Sequence, residues 1–325
     1  MQLQIPPAWA GHESVFRPSS EPAHAVFGLF TFMMTVSVIV YVVVIVATFT
    51  AVRRSRGSGA APATQDRERS LHRAVTAATA ATVLILFAYL LYDFGVGRAV
   101  AAPRDAANAL QIDVVGHQWW WEVQYQDTAP QRLLATANEI HVPIHRPVLI
   151  DLSSNDVIHS FWIPNLNGKK DLIPGHHNDA WFEADTAGVY RGQCAEFCGL
   201  EHAKMAIVIV AETPEQYSAW YNAQLQPPQL PTDSLRLAGQ KVFLSAPCVM
   251  CHAIGGTPAG ATMGPNLTHV GSRMTLAAGV LPNTPSNLES WIADPQRVKP
   301  GANMPATHLS RADLRAVTAY LEGLK

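Results

Sequence analysis

The stretch Arg191-Gly-Gln-Cys194-Ala-Glu196-Phe-Cys198-Gly-Leu-Glu-His202-Ala-Lys-Met205 places two cysteines, a histidine and a methionine within twelve positions, with a carboxylate between the cysteines. Thiolate and thioether ligands beside an imidazole select copper over hard, oxygen-seeking cations. As an extended strand, the segment would hold its two sulfurs too far apart for one metal centre. It must therefore fold back, and Gly199 after Cys198 permits the turn. A disulfide or a zinc knuckle is the plainer reading. A disulfide leaves the histidine and methionine without a use, whereas zinc rarely takes methionine and no other cysteine pair stands nearby. The donor set favours copper.

Outward from this stretch, residues 109–212 read as short β segments. Gln111–Val115, His141–Ile144, Val148–Asp151 and Met205–Ala211 are bounded by Gly, Pro and Asn turns. Such spacing suggests a β sandwich or barrel. The 325 residues predict about two domains. A net charge of −2 argues against a nucleic-acid partner, and 48% apolar composition is high, with the excess near the N-terminus. All four cysteines, Cys194, Cys198, Cys248 and Cys251, fall in pairs at ligand or attachment spacing, so none remains for a structural disulfide.

Residues 1–24 are polar, with no basic region of the kind that opens a signal peptide. From Ala25 to about Val52 no charged residue occurs, and a second apolar run spans about Ala74 to Tyr92. Both approach or exceed the ~20 residues of a membrane helix. The second carries small residues (Ala74, Ala77, Ala78, Ala80, Ala81) suited to close helix contact in lipid. Between the runs lie Arg53, Arg54, Arg56, Arg67, Arg69 and Arg73 against Asp66 and Glu68. The positive-inside rule puts that loop in the cytoplasm, and both the N-terminus and everything after about Gly97 outside it. Residues 25–98 thus read as a transmembrane hairpin, and 213–236, with Gln226-Pro-Pro-Gln-Leu-Pro231, as a semi-rigid Pro-rich linker.

Past the linker the pattern turns helical. Cys248-Val-Met-Cys251-His252 is the c-type haem attachment signature, with the histidine as proximal iron ligand. The bare alternative is a redox Cys-x-x-Cys pair. The sixth ligand should be a methionine, because a His/Met pair raises the potential of an electron-carrying haem. Met263, Met274 and Met304 are the candidates. Met304, in Lys299-Pro-Gly-Ala-Asn-Met304-Pro305, precedes a final helix at about Ser310–Gly323 with Leu314, Val317 and Leu321 at helical spacing.

Cys-x-Glu-x-Cys-x-x-x-His-x-x-Met resembles the binuclear copper A loop of subunit II of haem-copper cytochrome oxidases. The resemblance implies Cys194 and Cys198 as bridges, with His202, Met205, the backbone carbonyl of Glu196, and His159 from Asp156-Val-Ile-His159 as the other ligands. It implies a cupredoxin-like barrel over 109–212 and a Mg²⁺ at the subunit I border touched by the Glu196 carboxylate, a hard ligand suited to that ion. Gly116-His117-Gln118-Trp119 resembles the family segment whose exposed Trp receives electrons, and this role falls on Trp119. At least one of Trp119, Trp120 and Trp121 should reach a surface, because alternate strand residues face opposite ways; Trp120 and Trp121 are read as packing residues. The loop Asn167–Gly175 resembles one near the subunit I contact, and His176 and His177 beside it read as loop or interface residues. Many family members carry a Glu at the mouth of a proton path, and Glu68 is the candidate here.

Residues 237–325 resemble class I cytochromes c. Gly239-Gln-Lys-Val-Phe243 leads a helix into the attachment motif. Gly264-Pro265-Asn266-Leu267 resembles the loop whose Pro carbonyl accepts the proximal histidine N–H, and Met304 falls in the family's ligand loop. Met263 reads as loop packing, while Arg273 and Trp291 resemble residues that bind haem propionates. Together the chain resembles subunit II with a fused cytochrome c, as in caa3-type oxidases of the bacterial inner membrane. The implied path runs from an external donor (cytochrome c or a quinol:cytochrome c reductase) through haem c and copper A to subunit I, where oxygen is reduced and protons are pumped. A copper A subunit of a nitric oxide reductase and a membrane-tethered copper-delivery protein are the alternatives. Residues 109–212 hold 13 acidic against 6 basic side chains, and 237–325 hold 4 against 7. Opposite signs steer association, so the haem domain is expected to dock on the β-domain near Trp119.

Overall fold

The computed structural model describes residues 13–55, 64–103, 105–127, 129 and 132–325. Arg56 and the first half of the N-terminal segment, residues 1–12, lie outside them. The chain divides into a helical unit, His24–Ala102, and a second unit holding Pro103–Lys325 together with the residues before His24.

Two long helices, α1 (Glu21–Ser55) and α2 (Gln65–Val100), dominate the helical unit. Their most apolar 18-residue windows have mean hydropathies of 2.7 and 2.1, and none of either window is buried within the chain. Apolar side chains exposed on all sides, Val43, Leu84 and Phe94 among them, need lipid or another protein around them. That excludes the reading of either run as a buried core helix. Phe32 meets Tyr92 edge-on at 5.4 Å, and the Tyr89 hydroxyl donates to Met33 Sδ at 3.9 Å, tying the helices together. Both helices outrun the apolar segments. Arg67, Arg69 and Arg73, expected in a loop, lie in the first turns of α2 instead.

The β-domain comprises β1 (Leu110–His117), β2 (Trp120–Tyr125), β3 (Leu134–Ala137), β4 (Glu139–Pro143), β5 (Val148–Ser154), β6 (His159–Phe161), β7 (Lys170–Leu172), β8 (Asn178–Phe182), β9 (Gly188–Gln193) and β10 (Ala206–Glu212). One sheet has the order β3-β2-β1-β5-β8, a second β4-β10-β9, and β6 pairs with β7. Alternation along β1 buries Ile112 and Val114 against Trp121, Val123, Ile140, Ile150 and Ile209. This is a cupredoxin-like arrangement. The twelve residues joining antiparallel β9 and β10 are the cysteine-rich loop. Before α1, Ser19 N donates to Asn165 O at 2.8 Å and Ser20 bridges Ala184, so residues 19 and 20 belong to this domain.

Residues 213–236 are not all linker. Helix α3 (Pro214–Gln224) starts on a capping box between Thr213 and Gln216, with Pro at its first turn. It buries Tyr217 and Tyr221 against the β core and stacks Trp220 on His141 at 4.0 Å. The Pro-rich run caught the eye, but the cap just upstream sets a helix. Four further helices follow: α4 (Ser234–Ser245), α5 (Pro285–Ala293), α6 (Pro295–Val298) and α7 (Arg311–Glu322). Phe243 of α4 packs on Tyr320 of α7, over a core of Ile254, Leu288, Ile292, Val317 and Leu321.

Candidate functional site

The loop between β9 and β10 folds back through Gly199, whose φ of +111° suits glycine. The turn brings Cys194 Sγ within 3.7 Å of Cys198 Sγ, and both thiols are free and buried. Around the pair stand His159 Nδ1 at 3.9 Å from Cys194, His202 Nδ1 at 3.6 Å from Cys198, Met205 Sδ at 3.9 Å from Cys198, and the Glu196 carbonyl at 3.3 Å from Cys194. His159 arrives from β6, where Gly116 of β1 makes room: a Cβ there would sit 2.7 Å from the imidazole Cδ2. The six donors proposed from sequence thus converge on one place. A bonded disulfide is excluded by the sulfur separation. Hydrogen bonding from Cys198, opposed by burial and helped by His159, holds the Cys194 thiol far below its ordinary range; the same contact pushes Cys198 up. One negative charge is therefore already favoured at the sulfur pair, and a soft cation there would draw off the second proton. This donor set fits a soft, binuclear metal centre.

Sequence reading missed the supports behind these donors. Asp156 Oδ1 bonds His159 Nε2 at 2.8 Å, fixing the ring so that Nδ1 faces the sulfurs. Its Oδ2 accepts from the backbone N–H of Gln118 at 2.6 Å. Asp156 stood in the quoted His159 segment, but no local pattern marked its partner 38 residues upstream.

Trp119 was expected at a surface, yet it is only 8% exposed. Its indole N–H donates to the Cys198 carbonyl at 2.9 Å, as does Gln118 Nε2 at 2.8 Å. The turn carrying it is met by the haem-type domain: Lys299 Nζ donates to Trp119 O at 2.6 Å and Asn303 Nδ2 to Gln118 O at 2.9 Å. The domains also meet where Ala206 N donates to Ala278 O (3.0 Å) and Met274 N to Glu139 Oε2 (2.8 Å). Burial, only partly offset by Glu201 and Cys198, pulls Lys299 down to about 7. Trp121 is fully buried, as expected of a packing residue, and Trp120 is half-buried, stacked on His117 at 4.3 Å. His177 is exposed and bonded to Asp151 at 2.8 Å, away from the sulfur donors.

In the C-terminal domain Cys248 and Cys251 are free and half-buried. His252 Nδ1–H donates to the Pro265 carbonyl at 2.8 Å, and burial lowers its pKa, so the ring is neutral with Nε2 left as its donor atom. Arg273 is half-buried and its Nη2 donates to Asn266 O, but its buried Nε has no hydrogen-bond partner among the described residues; burial lowers its pKa to about 10. Such an unsatisfied cationic donor suits an acidic group, as the propionates of a haem would be. Met304 is half-buried in a loop held by Gln296, whose Nε2 donates to its carbonyl at 3.1 Å. Met263 is solvent-exposed, and Met274 is tied through its backbone to Glu139. Trp291 is half-buried on α5. These residues fit a covalently attached haem.

Residues 110–212 match the family described as cytochrome C oxidase subunit II, periplasmic domain, and residues 237–325 match the cytochrome c family. The first implies copper A and the second haem c. Cytochrome c oxidase subunit 2 of Alkalihalophilus pseudofirmus is 40% identical over 224 residues, 69% of this chain and 64% of that protein. The protein of that name from Bacillus sp. (strain PS3) is 34% identical over 241 residues, covering 70% and 66%. The periplasmic domain of subunit II of cytochrome oxidase of Bradyrhizobium japonicum, a crystal structure, is 31% identical; the match covers 35% of this chain and 92% of that one, with a TM-score of 0.34. The chain spans less than two thirds of the length of the two curated relatives. With its thiolate loop and attachment motif lying inside the two matched regions, the chain carries a domain of the cytochrome c oxidase subunit II periplasmic family and, fused behind it, a cytochrome c domain.

Proposed function

We propose that this chain is the electron-entry subunit of a respiratory cytochrome c oxidase, taking electrons from an external donor and delivering them to subunit I for oxygen reduction coupled to proton pumping. The observation that carries the reading is the convergence of four further donors on one pair of thiols. When bound, copper A and haem c supply reversible one-electron chemistry. Cys194, Cys198, His159, His202, Met205 and the Glu196 carbonyl would hold the copper. Cys248 and Cys251 would attach the haem, with His252 and Met304 as iron ligands and Arg273, Pro265 and Trp291 around it. Asp156 orients the imidazole of His159 and Pro265 that of His252, which keeps their donor atoms aimed without rearrangement.

The exposed Glu196 carboxylate serves as a Mg²⁺ ligand toward subunit I, and Glu68 as an entrance for protons. The hairpin α1–α2 anchors the chain in the bacterial inner membrane, with the Arg-rich connection in the cytoplasm and both cofactor domains on the periplasmic side. Oxygen uptake by the purified complex tests the reading. Donor-driven oxygen consumption is expected, and Cys198→Ser should abolish it. Turnover of nitric oxide in place of oxygen, or unchanged oxygen uptake in Cys198→Ser, would contradict it.

A further inference from the structure

The Gln118–Trp119 turn is hydrogen-bonded on both sides. Towards the sulfur pair, Trp119 Nε1 and Gln118 Nε2 both donate to the Cys198 carbonyl, and Gln118 N donates to Asp156, which bonds His159. Towards the cytochrome domain, the turn's two carbonyls accept from Lys299 and Asn303, the latter adjacent to Met304. We propose that Lys299 and Asn303 are positioning residues that dock the Met304 loop onto the Gln118–Trp119 turn, and so hold the cytochrome domain in register with the thiolate loop for internal electron transfer. The proposal rests on the electron-entry reading above.

Lys299 makes the stronger half of the argument. Lysine is almost never fully buried unless paired, yet Lys299 is 3% exposed. Burial without partners would leave its N–H donors unsatisfied and disfavour its charged form. Its Nζ is satisfied by carbonyls from both domains, Trp119 O at 2.6 Å and Ala277 O at 3.3 Å. The arrangement is fixed by direction as well as charge, because a carbonyl accepts only along its lone pairs. A second lysine works from the opposite side: Lys204, next to Met205, donates to Val298 O at 2.9 Å. The residues flanking Lys299 are thus gripped from the thiolate loop while Lys299 grips the turn beneath it. One consequence concerns the donor. With the turn engaged by its own cytochrome domain, an external cytochrome must deliver its electron to that domain and not to Trp119.

The test uses the full-length, cofactor-loaded chain with Lys299→Met and, separately, Asn303→Ser, which removes one bond at an exposed position. Hydroxyl-radical labelling of Trp119, resolved by peptide mass, reads the contact. Flash-initiated haem-to-copper transfer reads its consequence, and the haem absorption and copper EPR spectra report the sites themselves. Lys299→Met should raise Trp119 labelling several-fold and slow transfer tenfold or more, with both spectra unchanged; Asn303→Ser should do the same to a smaller degree. Transfer within twofold of wild type and unchanged labelling in both variants would overturn the proposal. If Lys299→Met does not fold, Asn303→Ser decides. Labelling reads the contact whether or not metal is present, so a wild-type chain without a copper signal would sink the functional reading separately.

Discussion

The two cofactor domains prepare for their groups in opposite ways. The cupredoxin-like domain assembles its donors from protein alone: buried Cys194, Cys198, His159 and Met205 gather against a large β core, and Asp156 of the same domain orients His159. The cytochrome domain has a smaller core, and it holds the half-buried Arg273 with its Nε buried and unsatisfied. A domain whose donors are already gathered by its own large core should stand without the metal. One that leaves a buried cationic N–H open depends on what binds there, because a group that binds only the folded state adds its binding free energy to stability.

The largest expected effect follows directly. Replacing Cys248 and Cys251 with serine, so that no haem is attached, should leave residues 234–325 unprotected in hydrogen exchange, while 110–212 keep native protection. Equal loss in both domains would erase the contrast. A smaller effect is expected from Asp156→Asn, which weakens the support of His159 without touching a ligand. Copper affinity should fall about 10–100-fold, as for other residues that orient metal-bound imidazoles, with the fold intact by circular dichroism. An unchanged affinity would mean that the β core alone sets the ring.

The smallest effect concerns pH and lies beneath the β-domain. Burial opposes charge on His141, but hydrogen bonds to Glu139 and Glu212, at 3.1 and 2.9 Å, outweigh it and hold its pKa above the ordinary value. A raised folded pKa stabilises fully below the unfolded value of about 6.5 and loses that contribution as pH rises through the folded value. The stability difference between wild type and His141→Gln should therefore shrink with rising pH, measured by denaturant unfolding across neutral pH. A difference that grows with pH would show that the imidazole is buried neutral.

Much of this was legible in the sequence because the chemistry is local. Cys194 to Met205 and Cys248 to His252 carry their donors within one loop each, where spacing alone constrains geometry. The strands at Gln111–Val115 and Val148–Asp151 were equally plain from alternation and flanking turns. What escaped depends on distant meetings. Lys299 and Trp119 lie 180 residues apart, so neither the burial of Trp119 nor the partner of Lys299 has a sequence signal. Opposite net charges did point to docking near Trp119. The bonds at that turn, however, run to backbone carbonyls and not to carboxylates, a detail that a charge count is blind to. Helix α3 was overlooked for a different reason: its start signal, Thr213-Pro214-Glu-Gln216, sat beside a louder run of prolines.

The central claim is that one thiolate pair organises two coppers beside a covalently attached haem. Quantitative metal and haem analysis of the purified full-length chain, with its EPR spectrum, tests it most directly. Two coppers and one covalent haem per chain are expected, with the unpaired electron shared between both metal nuclei. A fully loaded chain holding a single copper, or zinc, would contradict it.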